Sequence, residues 1–309
     1  MSQTSKSPKK VVRTALRVAA RVLPDYSHHM SPKKFTQAQL FACLVLKMLF
    51  KTDYRGICTY LADMPELCLA IGLKSVPHYT TLHKASQRLL TSKLVSNLLI
   101  ATLEKLSKSI PLAAIDATGL ESGHISPYFI KRRSECLKTR QNTQMTQWPK
   151  MAIIAETSQH YILAVHTSYG PSSDSRHFKE TLAQLPAEFN IQKLLADAGY
   201  DSEANHRWAN EICGIKTVIP PKIGCPTDSL PRKPYRRDMA INFDSDSYRK
   251  RWQVETVFSM IKRNLGYAIR SRLEHNRISE MFLMAITHNI MILYLLKSFS
   301  TEQEFTIKE

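Results

Sequence analysis

Two textures divide this sequence, and the seam between them falls at Pro111. From Ser31 to about Ile110 apolar residues recur at a helical period. FTQAQLFACLVLKMLF is apolar at 35, 40, 41, 44, 45, 48 and 49, which draws one stripe along a helix. In YRGICTYLADMPELCLAIGL, Pro65 interrupts the pattern and Gly72 takes the position of a helix stop. SVPHYTTLHKASQRLL predicts a turn and then a helix. Leu82, Ala85 and Leu89 share one face of it; Thr81, His83, Lys84, Gln87 and Arg88 share another. KLVSNLLIATLEKLSKSI predicts a further amphipathic helix.

Past Pro111 the runs shorten. LAAIDATGLES is an apolar run ending in Asp116, then Thr and Gly; KLLADAGYDS is another, ending at Asp197 before Gly199. Both read as strands entering turns. MAIIAET and YILAVHTSYG predict a hairpin, SRHFKETLAQL and EANHRWANEI helices, and IKTVIP a strand. Strands alternating with helices predict an α/β fold with a mixed sheet and flanking helices. Residues 221–247, rich in Pro, Arg and Asp, read as a loop or insertion, and ISEMFLMAITHNIMILYLLK as a final packing helix. The expected division is a basic tail over 1–30, a helical domain over 31–110, an α/β domain over 111–297 and a frayed tail over 298–309.

Charge narrows the function. Forty-three Lys and Arg against 26 Asp and Glu give +17, a balance suited to a polyanion, with nucleic acid first among them. A basic housekeeping protein and a membrane-surface binder also fit the charge alone. The six cysteines form no CxxC pair, so no zinc ribbon is expected and a reduced, cytoplasmic chain is. The longest uncharged apolar run, Met281 to Leu296, contains Thr287, His288 and Asn289; it is too short and polar for a membrane span. SKSPKKVVRTALRVAARVLP, acid-free with Arg13, Arg17 and Arg21 at helical spacing, fits a transit peptide or, preferably, a short amphipathic helix touching DNA or its own core.

The chemistry concentrates in YRKRWQVETVFSMIKRN, Tyr248 to Asn264, where Glu255 is the single acid among five cations. On one continuous helix Tyr248, Arg251, Glu255 and Lys262 fall within about 60° of one another. Val254, Val257, Phe258, Ile261 and Leu265 form a neighbouring stripe for a core. Taken singly, Glu255 fits a surface residue paired with Arg251, and Asp116 and Asp197 fit turn residues. Taken jointly, each Asp ends a strand, where an α/β sheet presents its functional edge. Three carboxylates converging there need a cation between them, and Mg²⁺ accepts carboxylates together with a substrate phosphate.

Tyr248, Arg251, Glu255 and Lys262 spell Y-x2-R-x3-E-x6-K, which resembles the signature of bacterial DDE-type insertion-sequence transposases, particularly the group numbered four and its relatives. AIDATGL resembles that family's first-Asp strand and LLADAGYDS its second. The resemblance covers roughly 110–297, and VPHYTTLHKASQRL is similar to the helical, DNA-binding region that precedes the core. It implies a ribonuclease-H-like fold with Asp116, Asp197 and Glu255 as catalytic residues holding two Mg²⁺ ions, Mn²⁺ being able to substitute. It further implies cleavage of element ends and joining of a 3′-OH to target DNA, with Arg251, Lys262 and Tyr248 on the DNA backbone. The 57 residues between Asp197 and Glu255 leave room for an insertion usual in this group. The implied partners are double-stranded DNA, as terminal inverted repeats and target, and a second copy of the chain, with no membrane; the implied place is the cytoplasm, at the nucleoid.

Other residues carry two readings each. Asp201 is an N-cap or a rival carboxylate, with the cap preferred. Trp252 packs, which is preferred, or stacks on a base. Lys131, Arg132, Arg133, Arg232, Arg236 and Arg237 lie in basic runs that are solvated or track phosphates. The helix from Tyr79 to Leu90 is a polar surface or a groove reader carrying Lys84 and Arg88. His124, His160 and His166 read as structural, and His288 and Asn289 as hydrogen-bonded core. Three functions compete: a DNA transposase, a DNA-binding protein without catalysis, inactive or domesticated, and a metal-dependent nuclease that cuts without joining.

Overall fold

A computed structural model of the chain describes residues 4–122, 148–222 and 230–305. Six helices come first: α1 (Pro8–Val22), α2 (Gln37–Leu49), α3 (Tyr54–Asp63), α4 (Pro65–Ile71), α5 (Tyr79–Leu89) and α6 (Ser92–Thr102). Their starts and stops follow local chemistry. Thr36 and Gln39 form a capping box on α2, and the Asp53 side chain accepts from the Gly56 amide at the head of α3. Pro65 takes the first position of α4, and Gly72 ends it in the left-handed region at φ 74°.

α1 lies within the stretch expected as a basic tail. Val11, Val12, Ala15, Val18 and Ala19 form one helical stripe and are each 0% exposed, while Lys9, Lys10 and Arg13 face outward. Arg17 lies 3.5 Å from Glu104 and Arg21 pairs with the same carboxylate. The helix therefore touches its own core, as the amphipathic reading expected.

Seven strands and further helices follow: β1 (Ser109–Gly119), β2 (Glu121–Ser122), β3 (Trp148–Glu156), β4 (Ile162–Gly170), α7 (Phe178–Leu182), β5 (Asn190–Leu195), α8 (Glu203–Arg207), β6 (Lys216–Val218), α9 (Pro234–Ile241), α10 (Ser245–Tyr248), α11 (Gln253–Leu265), β7 (Ala268–Ile269) and α12 (Glu274–Phe305). The main sheet is mixed, in the order β4-β3-β1-β5-β6. The β3–β4 hairpin and the β1–β3 pair are antiparallel; β1–β5 and β5–β6 are parallel. β2 and β7 form a separate parallel pair. The segment expected as a loop or insertion over 221–247 contains α9 and the start of α10.

Two compact units result. One comprises residues 1–106, 261–266 and 271–309; the other comprises 107–260 and 267–270. The long C-terminal helix thus groups with α1–α6 and not with the sheet. In the helical unit Phe41, Leu44, Ile57, Leu82, Leu98 and Met284 are buried; in the sheet unit Ile115, Ile153, Leu163, Phe178, Leu194 and Leu195 are. Asn289 lies in the helical core and donates to Thr102 Oγ1 at 2.9 Å, and His288 is 1% exposed. No helix among the described residues is long and apolar enough to cross a membrane.

Candidate active site

β1 and β5 run side by side with Ser109 opposite Asn190 and Ala114 opposite Leu195. Two residues further on lie Asp116, still within β1, and Asp197, past the end of β5 at the cap of the 3₁₀ turn Ala198–Tyr200. Adjacent strands lie about 4.8 Å apart, and matched residues of parallel strands point to one face. β1 continues beyond β5 on its other side, where Asp116 still pairs with Ile153 of β3. Each aspartate is braced by the next amide. Asp116 Oδ1 accepts from the Ala117 N–H at 2.8 Å, and Asp197 Oδ1 from the Ala198 N–H at 2.6 Å.

The stretch bearing Glu255 departs from one continuous helix. α10 ends at Tyr248, a turn occupies 249–252, and α11 begins at Gln253. The amides of Lys250, Arg251, Gln253 and Val254 each bond three residues back, to Ser247, Tyr248, Lys250 and Arg251, the tighter pattern that interrupts an α-helix. Glu255 consequently sits in the first turn of α11, where the helix dipole favours a carboxylate. Trp252, on the turn, is 56% exposed, which corrects the preferred reading of it as a packing residue.

Arg251 ties the elements together. Its Nη2 donates to Glu255 Oε1 at 2.6 Å, and its Nη1 lies 3.8 Å from Asp116 Oδ2. Burial chiefly raises the Tyr248 phenol pKa, Asp197 and Asp116 push it the same way, and Arg251 acts against them. Burial also pushes the Asp116 carboxyl up to about 6, and the negative charges of Asp174 and Glu255 push the same way; the Ala117 amide and Arg251 act against them. Asp174 is an acid that sequence reasoning did not single out. It lies on the 3₁₀ turn Asp174–His177 and pairs with Lys150 of β3. Nothing in SSDSRH marks it, because its nearness to Asp116 arises from tertiary packing.

Three contacts set the Glu255 segment. His160, at the β3–β4 turn with φ 66°, bonds through Nε2 to Gln253 Oε1 at 2.5 Å. Lys193 of β5 donates to Asp244 Oδ2 at 2.7 Å and Ser247 Oγ at 3.2 Å, while Asp244 Oδ1 caps the Ser247 amide at 3.1 Å. These bonds hold the Asp244 carboxyl well below the usual range. Asp201 is not the cap of α8; Ser202 occupies that position. Its carboxylate, 0% exposed, accepts from the Lys222 amide at 2.7 Å and Arg236 Nε at 2.8 Å, with His206 Nε2 at 3.4 Å. Burial opposes that charge, but these partners outweigh it and lower the pKa. The Glu203 carboxylate accepts the Tyr235 and Arg236 amides and so caps α9.

The remaining expected DNA contacts are dispersed. Arg236 is engaged with Asp201 and also donates to the Lys222 carbonyl, whereas Arg232 and Arg237 are exposed. Lys84 is exposed on α5; Arg88 is exposed too, with Nε donating to Gln37 Oε1 at 3.1 Å. Lys262 lies on the part of α11 that groups with the helical unit. Lys131, Arg132, Arg133 and His124 lie outside the described residues. His166 stacks on His177 with ring centroids 5.2 Å apart.

Among the described residues no three Asp, Glu, His or Cys side chains stand close enough to share one ion. The residues nonetheless suit an oxygen-seeking divalent cation. Asp116 and Glu255 already share a cation, the Arg251 guanidinium. Beside Asp116, Asp174 and Asp197, the buried Tyr200 hydroxyl has no hydrogen-bond partner among the described residues. Such a site can neutralise charge and hold phosphate oxygens.

Comparison with curated proteins finds no match. Residues 107–291, more than half of the chain, match the family model described as a transposase DDE domain. On that match the chain belongs to the DDE-domain transposases, enzymes that process DNA.

Proposed function

We propose that this protein is the transposase of an insertion sequence of the group numbered four or a relative, with a ribonuclease-H-like core. In this reading it cleaves the element's ends and joins the freed 3′-OH to target DNA. What supports the reading is that Asp116 and Asp197 each follow two residues after the paired Ala114 and Leu195 of β1 and β5, with Arg251 lying between Asp116 and Glu255. Asp116, Asp197 and Glu255 would hold two Mg²⁺ ions, for which Mn²⁺ substitutes. Bound there, the ions would supply Lewis-acid activation of the attacking oxygen and charge stabilisation of the leaving one.

The chain's own residues do the rest. Arg251 exchanges a carboxylate for a phosphate oxygen, to which its planar fork is suited. The Tyr248 hydroxyl and Lys262 contact the backbone on either side of Glu255 and fix the register of the strand to be cut. In this reading the Lys193–Asp244–Ser247 and His160–Gln253 contacts steady the segment that carries Glu255. Residues 31–110 form the DNA-binding part, with Lys84 and Arg88 on α5 facing the duplex. Arg132, Arg133, Arg236 and Arg237 fall to basic segments that follow phosphates, Arg236 only after release from Asp201. A homodimer brings the two ends together, and the chain works in the cytoplasm on nucleoid DNA.

The test incubates the full chain and Mg²⁺ with duplexes carrying the element's flanking inverted repeats and a target plasmid. Joined 3′ ends are expected. Asp116→Asn, Asp197→Asn and Glu255→Gln should each abolish cleavage and retain DNA binding; full activity in one removes that residue from the site. Cut but unjoined products would identify a nuclease. A second reading, a DNA-binding descendant without catalysis, draws on Arg251, which neutralises Asp116 and Glu255 without any ion. Binding with no cleavage under any divalent ion would establish it.

A further inference from the structure

Tyr200 ends the 3₁₀ turn Ala198–Tyr200 that directly follows Asp197. Its side chain is 2% exposed, and its ring centroid stands 5.9 Å from that of Phe178. Packing against Phe178 accounts for the ring but not for the hydroxyl, which has no hydrogen-bond partner among the described residues. Buried tyrosine hydroxyls ordinarily find a partner. A phenylalanine would fill nearly the same volume without taking a polar group out of water.

Acidic side chains gather around the turn that carries it. Asp174, Asp116 and Asp197 all act electrostatically on the phenol, and the turn bearing Asp174 packs against the turn bearing Tyr200. The backbone at 200 is held from both sides. Its amide donates to the Asp197 carbonyl at 2.9 Å, and its carbonyl accepts from Asn205 Nδ2 at 3.0 Å. The same Asn205 amide group reaches Ser175 Oγ at 3.0 Å, tying the two turns together. The turn that carries the phenol is therefore held between Asp197, which it directly follows, and the turn that carries Asp174, and the hydroxyl has one proton to donate and no acceptor among the described residues.

We infer that Tyr200 is a positioning residue of the proposed metal site, its hydroxyl donating a hydrogen bond to the Asp116 carboxylate when that carboxylate holds an ion. The inference rests on the reading of Asp116 and Asp197 as metal-holding residues. The phenol O–H donates, one carboxylate oxygen accepts, and the other oxygen is left aimed at the ion. Outer donors of this kind typically change metal affinity by about 10–100-fold when removed.

The experiment measures Mn²⁺ binding to the full chain by titration with electron paramagnetic resonance, with and without a duplex oligonucleotide. Wild type, Tyr200→Phe and Asp116→Asn are compared, and melting temperatures are recorded without metal. The expected result is an Mn²⁺ affinity about tenfold or more lower in Tyr200→Phe, with a metal-free melting temperature equal to or above wild type. Unchanged affinity in Tyr200→Phe, alongside weakened binding in Asp116→Asn, overturns this inference and leaves the metal site standing. A lower affinity accompanied by a lower metal-free melting temperature assigns Tyr200 to packing and also overturns it. A wild type that binds no Mn²⁺ in either condition removes the metal site and this inference together.

Discussion

Ala114 and Leu195 stand opposite each other on neighbouring parallel strands, and two residues beyond them come Asp116, still within β1, and Asp197, just past the end of β5. That register, held by every rung of the ladder, sets where each aspartate leaves the paired strands. Because side chains alternate faces along a strand, a one-residue slip of β5 against β1 would turn one aspartate away from the other.

The pH dependence of stability should report Asp116. Its carboxyl lies at about 6 in the folded chain against an ordinary 3.8, so folding favours the protonated form. The group therefore contributes stability below about pH 4 and loses that contribution as pH rises through about 6. Metal-free wild type should lose up to about 3 kcal/mol relative to Asp116→Asn across this window. Denaturant titrations of both proteins from pH 4 to pH 7 check it; parallel curves would refute the assignment.

Arg251→Ala should slow cleavage through lost phosphate positioning, by about 1.5–3 kcal/mol of transition-state stabilisation for a charged hydrogen bond. Single-turnover cleavage at saturating DNA is the measurement. An unaltered rate would place Arg251 outside the substrate channel.

Asp201→Ala should destabilise the sheet unit by about 3 kcal/mol or more, because the partners of a buried carboxylate are left uncompensated. The loss should be readable as a lower unfolding midpoint. Arg236→Ala should lower it by a smaller margin, since Arg236 is 30% exposed at its side chain while Asp201 is 0% exposed.

Lys84→Ala should weaken binding to any duplex and lower the slope of log affinity against log salt by about one. Arg88→Ala should in addition cost helical-unit stability, since Arg88 Nε donates to Gln37 Oε1. Fluorescence anisotropy across a salt series separates the two; an unchanged slope in Lys84→Ala removes α5 from the DNA interface.

Much of this was legible in the chain, for identifiable reasons. Apolar runs closed by Asp116 and Asp197 announce strands that end in turns, and the helical rhythm over 31–110 announces the α-helices. The break at 249–252 was not legible, because a stripe at helical spacing survives a tightened turn: three-residue bonds keep Arg251 and Glu255 on one side. Asp174 was invisible because only the packing of one 3₁₀ turn on another brings it toward Asp116. Asp201 was misread as a cap because Asp favours that position from either neighbouring residue, and its true partners, Lys222 and Arg236, come from 21 and 35 residues away.

The first helix has a practical bearing. Positive charge at an N-terminus invites trimming to improve behaviour in solution, and residues 8–22 look dispensable by composition. With Val11, Val12, Ala15, Val18 and Ala19 wholly enclosed, such a deletion would strip one wall from the helical bundle and orphan the Glu104 carboxylate. Shortened versions of this protein that begin after Leu23 should therefore aggregate.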